Sequence, residues 1–530
     1  MHESVEGERV TDQVNGDRDR KLRPLSAAHV LALGIAATAI VTITYFTLFP
    51  FDFVSHGQSP SDVIKNFSLT TGPLWKPREV PINTVLFMPL GFGLAGLARA
   101  KRLSRRSSVV AGTALGLLLS VVVELLQSAW LLRDPSIDDI AANTVGATLG
   151  ALIWIASEAA LDRRLERDRP ATRSPLWRGA FLALSLVPIV LVILVAIRVR
   201  DNTELAGWDP QYPLVLGNEA TGNRPWQGSI AHVSLANRSL TEEETSDWLG
   251  GASMTAVAPE STLLDYDFAS GVMPPGWQVH GSDSTITIAK DGLQITPQHW
   301  VQATDPVSEI SRSIAQTDSF TVAVDATTSS MDQSGPARLL SISTDPLHRN
   351  LTVAQNGTDL VVRVRSAFTG PNAGAPEFVV PGVFEHAGPQ RVVISYQPSS
   401  LRVSVGEPGK VSRTNFFPAT VAMLKTFPDD DIARLRMTRL GDWARGAYLS
   451  IFMFAPWTIC VTLLDDGRRA RLRTLVLAVL PVPVVEGVLA AILPSQSFSV
   501  GRVLLVGAAA VALSLLISWS TARPPAPSAP

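Results

Sequence analysis

The sequence predicts a multi-domain protein that combines an α-helical transmembrane bundle of about eight spans with an extracytoplasmic all-β jelly-roll sandwich. Of its 530 residues, 46% are hydrophobic and only 17% are charged, a more apolar balance than water-soluble chains usually show. Long apolar runs lie towards both ends of the chain. Between them, residues 201–445 contain short runs in which polar and apolar side chains alternate, which is typical of strands.

The predicted spans are the apolar runs long enough to cross about 30 Å of hydrocarbon. They lie at residues 27–49, 81–99, 108–131, 138–158, 178–197, 447–464, 474–493 and 499–519. Clusters of Lys and Arg precede the first span and follow the second, fourth and sixth. By the positive-inside rule, both termini of this multi-pass protein are then cytoplasmic, and residues 201–445 are extracytoplasmic. The prediction makes residues 1–26 a cytoplasmic tail and residues 520–530 a disordered one.

Composition argues against two classes of function. The formal net charge is −2, whereas nucleic-acid binding needs a concentrated basic surface, so no nucleic acid is expected as a partner. Cys460 is the one cysteine, which rules out an internal disulfide and a thiolate-rich metal site. No cofactor is therefore predicted.

Polar residues inside the predicted spans are the main candidates for function. Glu124 and Gln127 are three residues apart in the third span, and Asp139 and Asn143 are four apart at the start of the fourth, so each pair lies on one helix face. Arg133 lies in the loop between these spans. Ionisable residues in a span cost several kcal/mol by insertion scales and usually face a bundle interior, where they often mark function.

The second and fourth spans begin in a similar way. Glu79-Val-Pro-Ile-Asn83 opens one and Asp139-Ile-Ala-Ala-Asn143 opens the other, which suggests a weak tandem repeat of two spans each. Gly146 and Gly150 form a GxxxG pair in the fourth span, a spacing that permits close helix packing. By contrast, Glu486 in the seventh span has no partner visible nearby in the sequence.

Taken together, these motifs resemble the VanZ-like family over about residues 27–158. The pattern consists of Asn83, Phe87, Pro89, Leu90, Gly91, Glu124, Gln127, Arg133, Asp139, Asn143, Gly146 and Gly150. The resemblance implies a bacterial inner-membrane protein, and the founding member of the family is associated with low-level resistance to the glycopeptide teicoplanin. The candidate polar membrane site that it carries over comprises Asn83, Glu124, Gln127, Arg133, Asp139 and Asn143, with no catalytic residue assigned.

The stretch from Asn223 to Glu244 resembles the terminal strand of laminin-G-like, concanavalin-type jelly rolls. That strand usually comes late in the domain, whereas here it comes first, so a circularly permuted sandwich is one interpretation. Jelly rolls of this kind often bind glycans. Trp226, Trp277 and Trp300 are accordingly the glycan-binding candidates, although such tryptophans are more often part of the core.

Three functional hypotheses follow from the sequence. The first is a cell-envelope protein that contacts membrane lipids and binds a cell-wall precursor, a lipid-linked group or a glycopeptide at the outer leaflet. The second is an intramembrane enzyme in which Glu124 or Asp139 is a general base and Arg133 holds an anionic group. The third is an adhesive or sensory receptor whose β domain binds glycan. The polar membrane residues also admit a purely structural role, locking four helices together through hydrogen bonds and an ion pair from Arg133.

Overall fold

The structure is a computed structural model, and it describes most of the helical and β regions. The described residues are 27–48, 79–130, 136–167, 175–281, 286–304, 307–370, 372–374, 376–386, 388–406, 411–415, 434–437, 450, 453–462, 471–493 and 498–521. The predicted cytoplasmic tail and almost all of the predicted C-terminal tail fall outside these ranges, and so does Arg133.

Helices occupy the described part of every predicted span. Before the β region they are α1 (Ala27–Leu48), α2 (Glu79–Ala100), α3 (Arg105–Trp130), α4 (Ile137–Arg167) and α5 (Pro175–Asn202). Within the described residues, four helical stretches are long and apolar enough to cross a membrane: Val80–Ala100, Arg105–Ser128, Ile137–Leu161 and Leu472–Ile492. Ala32–Thr44, Met453–Thr462 and Val500–Leu515 are shorter apolar helices. The count of about eight spans therefore stays a prediction.

The strands of the β region, with the short helices between them, follow α5. They are β1 (Leu214–Leu216), β2 (Gly228–Ala236), α6 (Glu242–Leu249), α7 (Met254–Val257), β3 (Thr262–Asp267), a 3-10 turn (Phe268–Ser270), β4 (Trp277–Gly281), β5 (Ile288–Ala289), β6 (Gly292–Ile295), β7 (His299–Ala303), α8 (Val307–Thr317), β8 (Phe320–Thr328), β9 (Ala337–Ser343), β10 (Arg349–Asn356), β11 (Asp359–Val364), β12 (Glu377–Val380), β13 (Pro389–Gln397), β14 (Ser400–Val405), β15 (Val411–Asn415) and β16 (Arg434–Arg436). The chain then ends in α9 (Met453–Thr462), α10 (Arg471–Val479), α11 (Pro481–Ile492) and α12 (Val500–Thr521).

These strands form two sheets. The first runs β16-β12-β11-β10-β9-β1-β7-β4, and the second runs β15-β14-β13-β8-β2-β6-β5 with β3 also paired to β2. β12 and β16 pair in parallel, while every other pairing among the described strands is antiparallel. Apolar side chains of both sheets belong to one core cluster, for example Leu340 and Val353 with Val233 and Val322, as expected where two sheets face each other.

Four of the alternating runs in residues 201–445, at 320–325, 360–365, 391–396 and 401–405, correspond to β8, β11, β13 and β14, so the prediction of a β domain is confirmed. The stretch that resembled a terminal strand forms β2, which lies inside its sheet between β8 and β6. A position of β2 at the edge of its sheet would have contradicted a permuted sandwich, and β2 does not lie at the edge. The laminin-G-like or concanavalin-type jelly roll itself stays a prediction.

The segment after α5 is bound directly into the β domain. The Thr203 carbonyl accepts a hydrogen bond from Tyr396 Oη at 2.5 Å, and Thr203 Oγ1 accepts one from the Ser399 N–H at 2.9 Å. Two residues further on, the Leu205 N–H donates to Asp318 Oδ1 at 2.7 Å. Burial raises the pKa of Tyr396, which keeps its hydroxyl protonated as the donor. The β domain therefore begins within a few residues of the helix end.

Candidate functional site

Helices α1 to α4 pack into one bundle, in which α2 and α4 run parallel and touch through glycine. A Cβ atom added at Gly91 would lie 1.8 Å from the Ala147 carbonyl oxygen, and one at Gly150 would lie 1.9 Å from the Met88 carbonyl oxygen. Only glycine permits backbones this close, which is the usual role of small residues between membrane helices. The predicted GxxxG pair of α4 therefore lies in the contact with α2.

The two helix starts that looked alike in the sequence are joined by a hydrogen bond. Asn83 Nδ2, on the second turn of α2, donates to Asp139 Oδ1 at 2.7 Å. Asp139 lies in the first turn of α4, where its backbone N–H donates to Ser136 Oγ at 3.4 Å. A carboxylate at this position is stabilised by the positive end of the helix dipole. The hydrogen bond between the parallel helices α2 and α4 therefore joins an amide donor to an ionisable acceptor.

Glu124 on α3 is tied to the same helix start. It is only 4% exposed, and its Oε2 atom accepts the Ser136 backbone N–H at 3.0 Å. This bond joins α3 to the first turn of α4 across the loop that contains Arg133. The carboxylate and the helix start stabilise each other because the first N–H groups of a helix lack partners within it.

Gln127 and Asn143 complete the polar set at this end of the bundle. Gln127 Nε2 donates to the Thr47 carbonyl at 2.7 Å, which joins α3 to the end of α1. Asn143 Nδ2 donates to Ser120 Oγ at 2.9 Å, and the side chain is 3% exposed. Asn143 Oδ1 is buried with no hydrogen-bond partner in the part of the chain that the structure describes. It is an acceptor for which the described residues supply no donor.

The structure therefore brings together five of the six predicted membrane-site residues. Asn83, Glu124, Gln127, Asp139 and Asn143 each make a polar contact between helices or with the start of α4, all at one end of the bundle, here called the polar end. The sixth, Arg133, lies outside the described residues. The arrangement offers carboxylates and amides that can exchange hydrogen bonds with a polar ligand. Among the described residues, no group of three His, Cys, Asp or Glu could hold a metal ion.

The opposite end of the bundle carries an ion pair that the sequence analysis missed. Arg99 Nε on α2 lies 2.7 Å from Glu158 Oε1 on α4, and the Glu158 side chain is 11% exposed. The sequence does contain a signal for this pair, because Glu158 is an acidic residue within an otherwise apolar stretch of α4. Halfway along the bundle, Thr113 and Thr148 hydroxyls lie 3.1 Å apart. Polar contacts thus occur along the whole bundle, and carboxylates occur at both ends.

Comparison with protein families gives one match for this part of the chain. Residues 35–158 match the family model VanZ/LLP1. The match begins within α1 and ends within α4, so it contains the polar end and the glycine contacts. No curated protein and no solved structure matched the chain. Together with the apolar helices, the match indicates a membrane protein with a VanZ-type domain, in agreement with the resemblance over residues 27–158.

A lone acid in the C-terminal helices has a partner after all. Glu486 in α11 lies 2.8 Å from Arg502 Nη2 of α12, and its Oε1 atom also accepts the Ser499 N–H at 3.2 Å. The sequence expectation that Glu486 has no partner nearby was wrong, because α12 packs against α11 and brings Arg502 alongside Glu486. The pair joins two helices, and a structural role accounts for it.

The three tryptophan candidates in the β domain differ in exposure. Trp226 is fully buried, and its Nε1 atom donates to Gln355 Oε1 at 2.9 Å, so it is a core residue with no face for a sugar. Trp277 is half-buried and packs edge-on against Tyr266 at 5.8 Å between ring centroids. Trp300 is half-buried and stacks on His280 at 6.2 Å and 17°.

Asp265 on β3 accepts hydrogen bonds from residues of other elements. It accepts hydrogen bonds from Ser234 Oγ at 2.7 Å and from the Thr255 N–H and hydroxyl at 2.9 and 2.6 Å, and it pairs with His232 Nε2 at 2.7 Å. Burial opposes ionisation, but these hydrogen bonds outweigh it and hold the pKa of Asp265 below its ordinary range. All its partners belong to β2 and α7, so Asp265 joins elements of the fold.

Proposed function

We propose that this chain is a cell-envelope protein whose VanZ-type domain binds a cell-wall precursor, a lipid-linked group or a glycopeptide, in a role linked to teicoplanin-type resistance. One observation carries the proposal. The polar contacts of Asn83, Glu124, Gln127, Asp139 and Asn143 gather at one end of the domain that matches VanZ/LLP1. Intramembrane ionisable groups gathered in this way are functional more often than not.

The chemistry of the polar end suits ligands rich in amides and hydroxyls. Asn143 Oδ1 is a buried acceptor without a described partner, and the Asn83 to Asp139 bond offers a donor and a carboxylate within 2.7 Å of each other. A ligand amide or hydroxyl can take over such bonds without leaving buried polar groups unpaired. Peptide stems, sugar headgroups and glycopeptides all carry groups of this kind.

The proposed topology places this end at the outer leaflet, with both termini cytoplasmic and residues 201–445 extracytoplasmic. The basic clusters before the first predicted span and after the second, fourth and sixth support this orientation. Wall precursors and glycopeptides act on that side of the membrane, so the ligand and the polar end would face each other. Tags at the two termini and within residues 201–445, probed for protease access in intact spheroplasts, test the orientation.

Teicoplanin susceptibility tests the proposed binding role. Cells that express the wild-type chain are expected to tolerate more teicoplanin than cells with an empty vector, and Asp139→Ala or Glu124→Ala is expected to abolish the difference. Glu158→Gln is the matched control, because Glu158 is also a carboxylate of the bundle but lies at the opposite end. Membrane abundance of each variant is measured by immunoblotting. Equal susceptibility for wild type, variants and vector at equal abundance would reject the resistance role.

Glycan binding by the β domain is a second candidate, and the position of Trp300 favours it. This indole is half-buried beside Gly222, and its stacking on His280 gives a flat surface of the kind that sugar rings contact. A glycan array with the full-length protein in detergent, compared with Trp300→Ala, tests this role. The enzymatic alternative depends on Arg133, which lies outside the described residues, and no structural observation favours it.

A further inference from the structure

Two arginines on neighbouring strands of the first sheet of the β domain are buried. Arg338 on β9 is 1% exposed and Arg349 on β10 is 4% exposed. Within the described residues, the Nε and Nη1 atoms of both side chains are buried and have no hydrogen-bond partner. Four guanidinium donors without acceptors are unusual, because buried arginine is almost always paired.

Neighbouring positions of β9, β10 and β11 supply further polar groups. Ser343 pairs directly with Arg349, and Thr352 pairs directly with Arg363 on β11. The hydroxyls of Ser343 and Thr352 are also buried without a hydrogen-bond partner in the described structure. The register places Arg338 opposite Ala354, towards the other end of the β9–β10 pair from Ser343 and Arg349, and the Arg338 side chain is still close enough to interact with the charges of Arg363 and Arg349. Two guanidinium groups and two hydroxyls, all with unused hydrogen-bonding capacity, therefore lie along this one pair of neighbouring strands.

The charges around this cluster do not cancel. Arg363 is already paired with Glu377, since its Nη2 and Nε atoms lie 2.6 and 2.8 Å from Glu377 Oε2. Asp345 also lies near Arg349, but it is half-exposed and pairs with His348. Glu219 is the acid that acts on both Arg338 and Arg349. It is fully buried, its Oε2 atom has no hydrogen-bond partner among the described residues, and its Oε1 atom accepts only the Thr221 hydroxyl. Glu377 is paired with Arg363 and Asp345 with His348, so among the described residues Glu219 is the buried carboxylate left to balance two buried arginines.

Burial and the neighbouring charges lower the pKa values of both arginines. Burial, followed by the neighbouring charges of Arg363 and Arg349, lowers the pKa of Arg338 to about 9. Burial and the charge of Arg363 lower the pKa of Arg349 to about 10. Both groups stay cationic at neutral pH, and both carry the cost of an uncompensated buried charge. A structural role does not explain this cost, because a buried arginine that stabilises a fold does so through the acceptors it binds.

We propose that Arg338 and Arg349, with the hydroxyls of Ser343 and Thr352, form a binding site for an oxyanion, either a phosphate group or the carboxylate of an acidic sugar. An oxyanion supplies the acceptors that the four guanidinium nitrogens lack, and arginine is the side chain best suited to bind it. Its negative charge also balances the excess positive charge. The cluster reaches solvent at Arg363, whose side chain is 17% exposed, so the ligand enters from that side. This site is separate from the polar end of the bundle and does not depend on the function proposed for it.

Calorimetric titration of the full-length protein in detergent tests the site. Inorganic phosphate and glucuronate are the two probes, each at constant ionic strength against chloride. Arg338→Met and Arg349→Gln are expected to weaken binding of the active probe by at least about tenfold, because a hydrogen bond to a charged group contributes about 1.5–3 kcal/mol. Arg312→Met removes an exposed arginine of α8 in the same domain and is expected to leave binding unchanged.

A second measurement separates binding from folding. Without a probe, Arg338→Met is expected to leave the melting temperature equal to that of the wild type or above it, because it removes an unpaired buried charge. Binding of phosphate alone supports a phosphate ligand, and binding of glucuronate alone supports an acidic sugar. The proposal is overturned if neither probe binds the wild type, if Arg312→Met weakens binding as much as Arg349→Gln does, or if Arg338→Met melts well below the wild type and still binds.

Discussion

Substitution of Gly91 by alanine is expected to separate α2 from α4 and to destabilise the VanZ-type domain. The new Cβ atom would lie 1.8 Å from the Ala147 carbonyl oxygen. An ordinary carbon-to-oxygen contact needs roughly 3.3 Å, so the two backbones have to move apart by about 1.5 Å. That shift would stretch the 2.7 Å bond between Asn83 and Asp139 beyond hydrogen-bonding distance.

The expected cost combines two effects. Overpacking of a close contact costs about 1–3 kcal/mol, and a hydrogen bond between membrane helices contributes roughly 0.6–1.7 kcal/mol. The free energy of unfolding should therefore fall by about 2–5 kcal/mol. The assay is a reversible SDS titration of the full-length protein in detergent micelles, followed by circular dichroism.

Alanine substitutions at two other glycines serve as comparisons for Gly91→Ala. A Cβ atom at Gly34 of α1 meets nothing within 4 Å, so Gly34→Ala should be neutral or slightly stabilising. At Gly112 the nearest atom would lie 3.2 Å away, and an intermediate effect is expected. If Gly91→Ala and Gly34→Ala change the unfolding free energy by the same amount, the argument from close packing of α2 and α4 is refuted.

Two further predictions concern the β domain. Trp226→Ala should lower the free energy of unfolding by about 3–5 kcal/mol, as expected for a fully buried indole, whereas Trp300→Ala should lower it far less. Thermal melting with matched tryptophan baselines measures both changes. Equal losses of stability in the two variants would contradict the burial argument. Glu244 caps α6 and binds Arg238, whose hydrogen bonds lower the pKa of Glu244 to about 2. Glu244→Gln should therefore cost about 1 kcal/mol at pH 7. Because the folded pKa is depressed, this stabilisation is complete above about pH 4.5 and is lost as the pH falls towards 2. Glu243→Gln, which alters an exposed neighbour, is the control for the pH series.

Much of the membrane site could be predicted from the sequence because helical spacing is regular. Residues three or four apart share a face, so Glu124 with Gln127 and Asp139 with Asn143 were correctly placed. The similar starts of the second and fourth spans suggested a repeat, and Asn83 and Asp139, which lie at these two starts, are hydrogen-bonded to each other. The sequence did not predict the pair of Arg99 and Glu158, because a basic residue at a helix end is also what the positive-inside rule leads one to expect.

The buried arginines were out of reach of sequence reasoning for a different reason. An arginine on a strand is expected to point to solvent, because charged side chains are rarely buried. Register shifts between β9 and β10 alter which residues face the core, at Arg349 and again after Val353, and a bulge of this kind leaves no clear mark in a single sequence. The partner of Glu486 was missed for a similar reason, since Arg502 is sixteen residues away in the sequence and comes close only because α12 packs against α11.

The two polar pairs between α2 and α4 have a mechanical consequence. Asn83 with Asp139 and Arg99 with Glu158 fix the pair of helices near both ends. A slide of one helix along the other by a single turn, about 5.4 Å, would break both connections at once and drive side chains into the glycine contacts. The pair is therefore stiff along its length, and an opening at the polar end has to take the form of a scissor-like tilt about the Arg99 end.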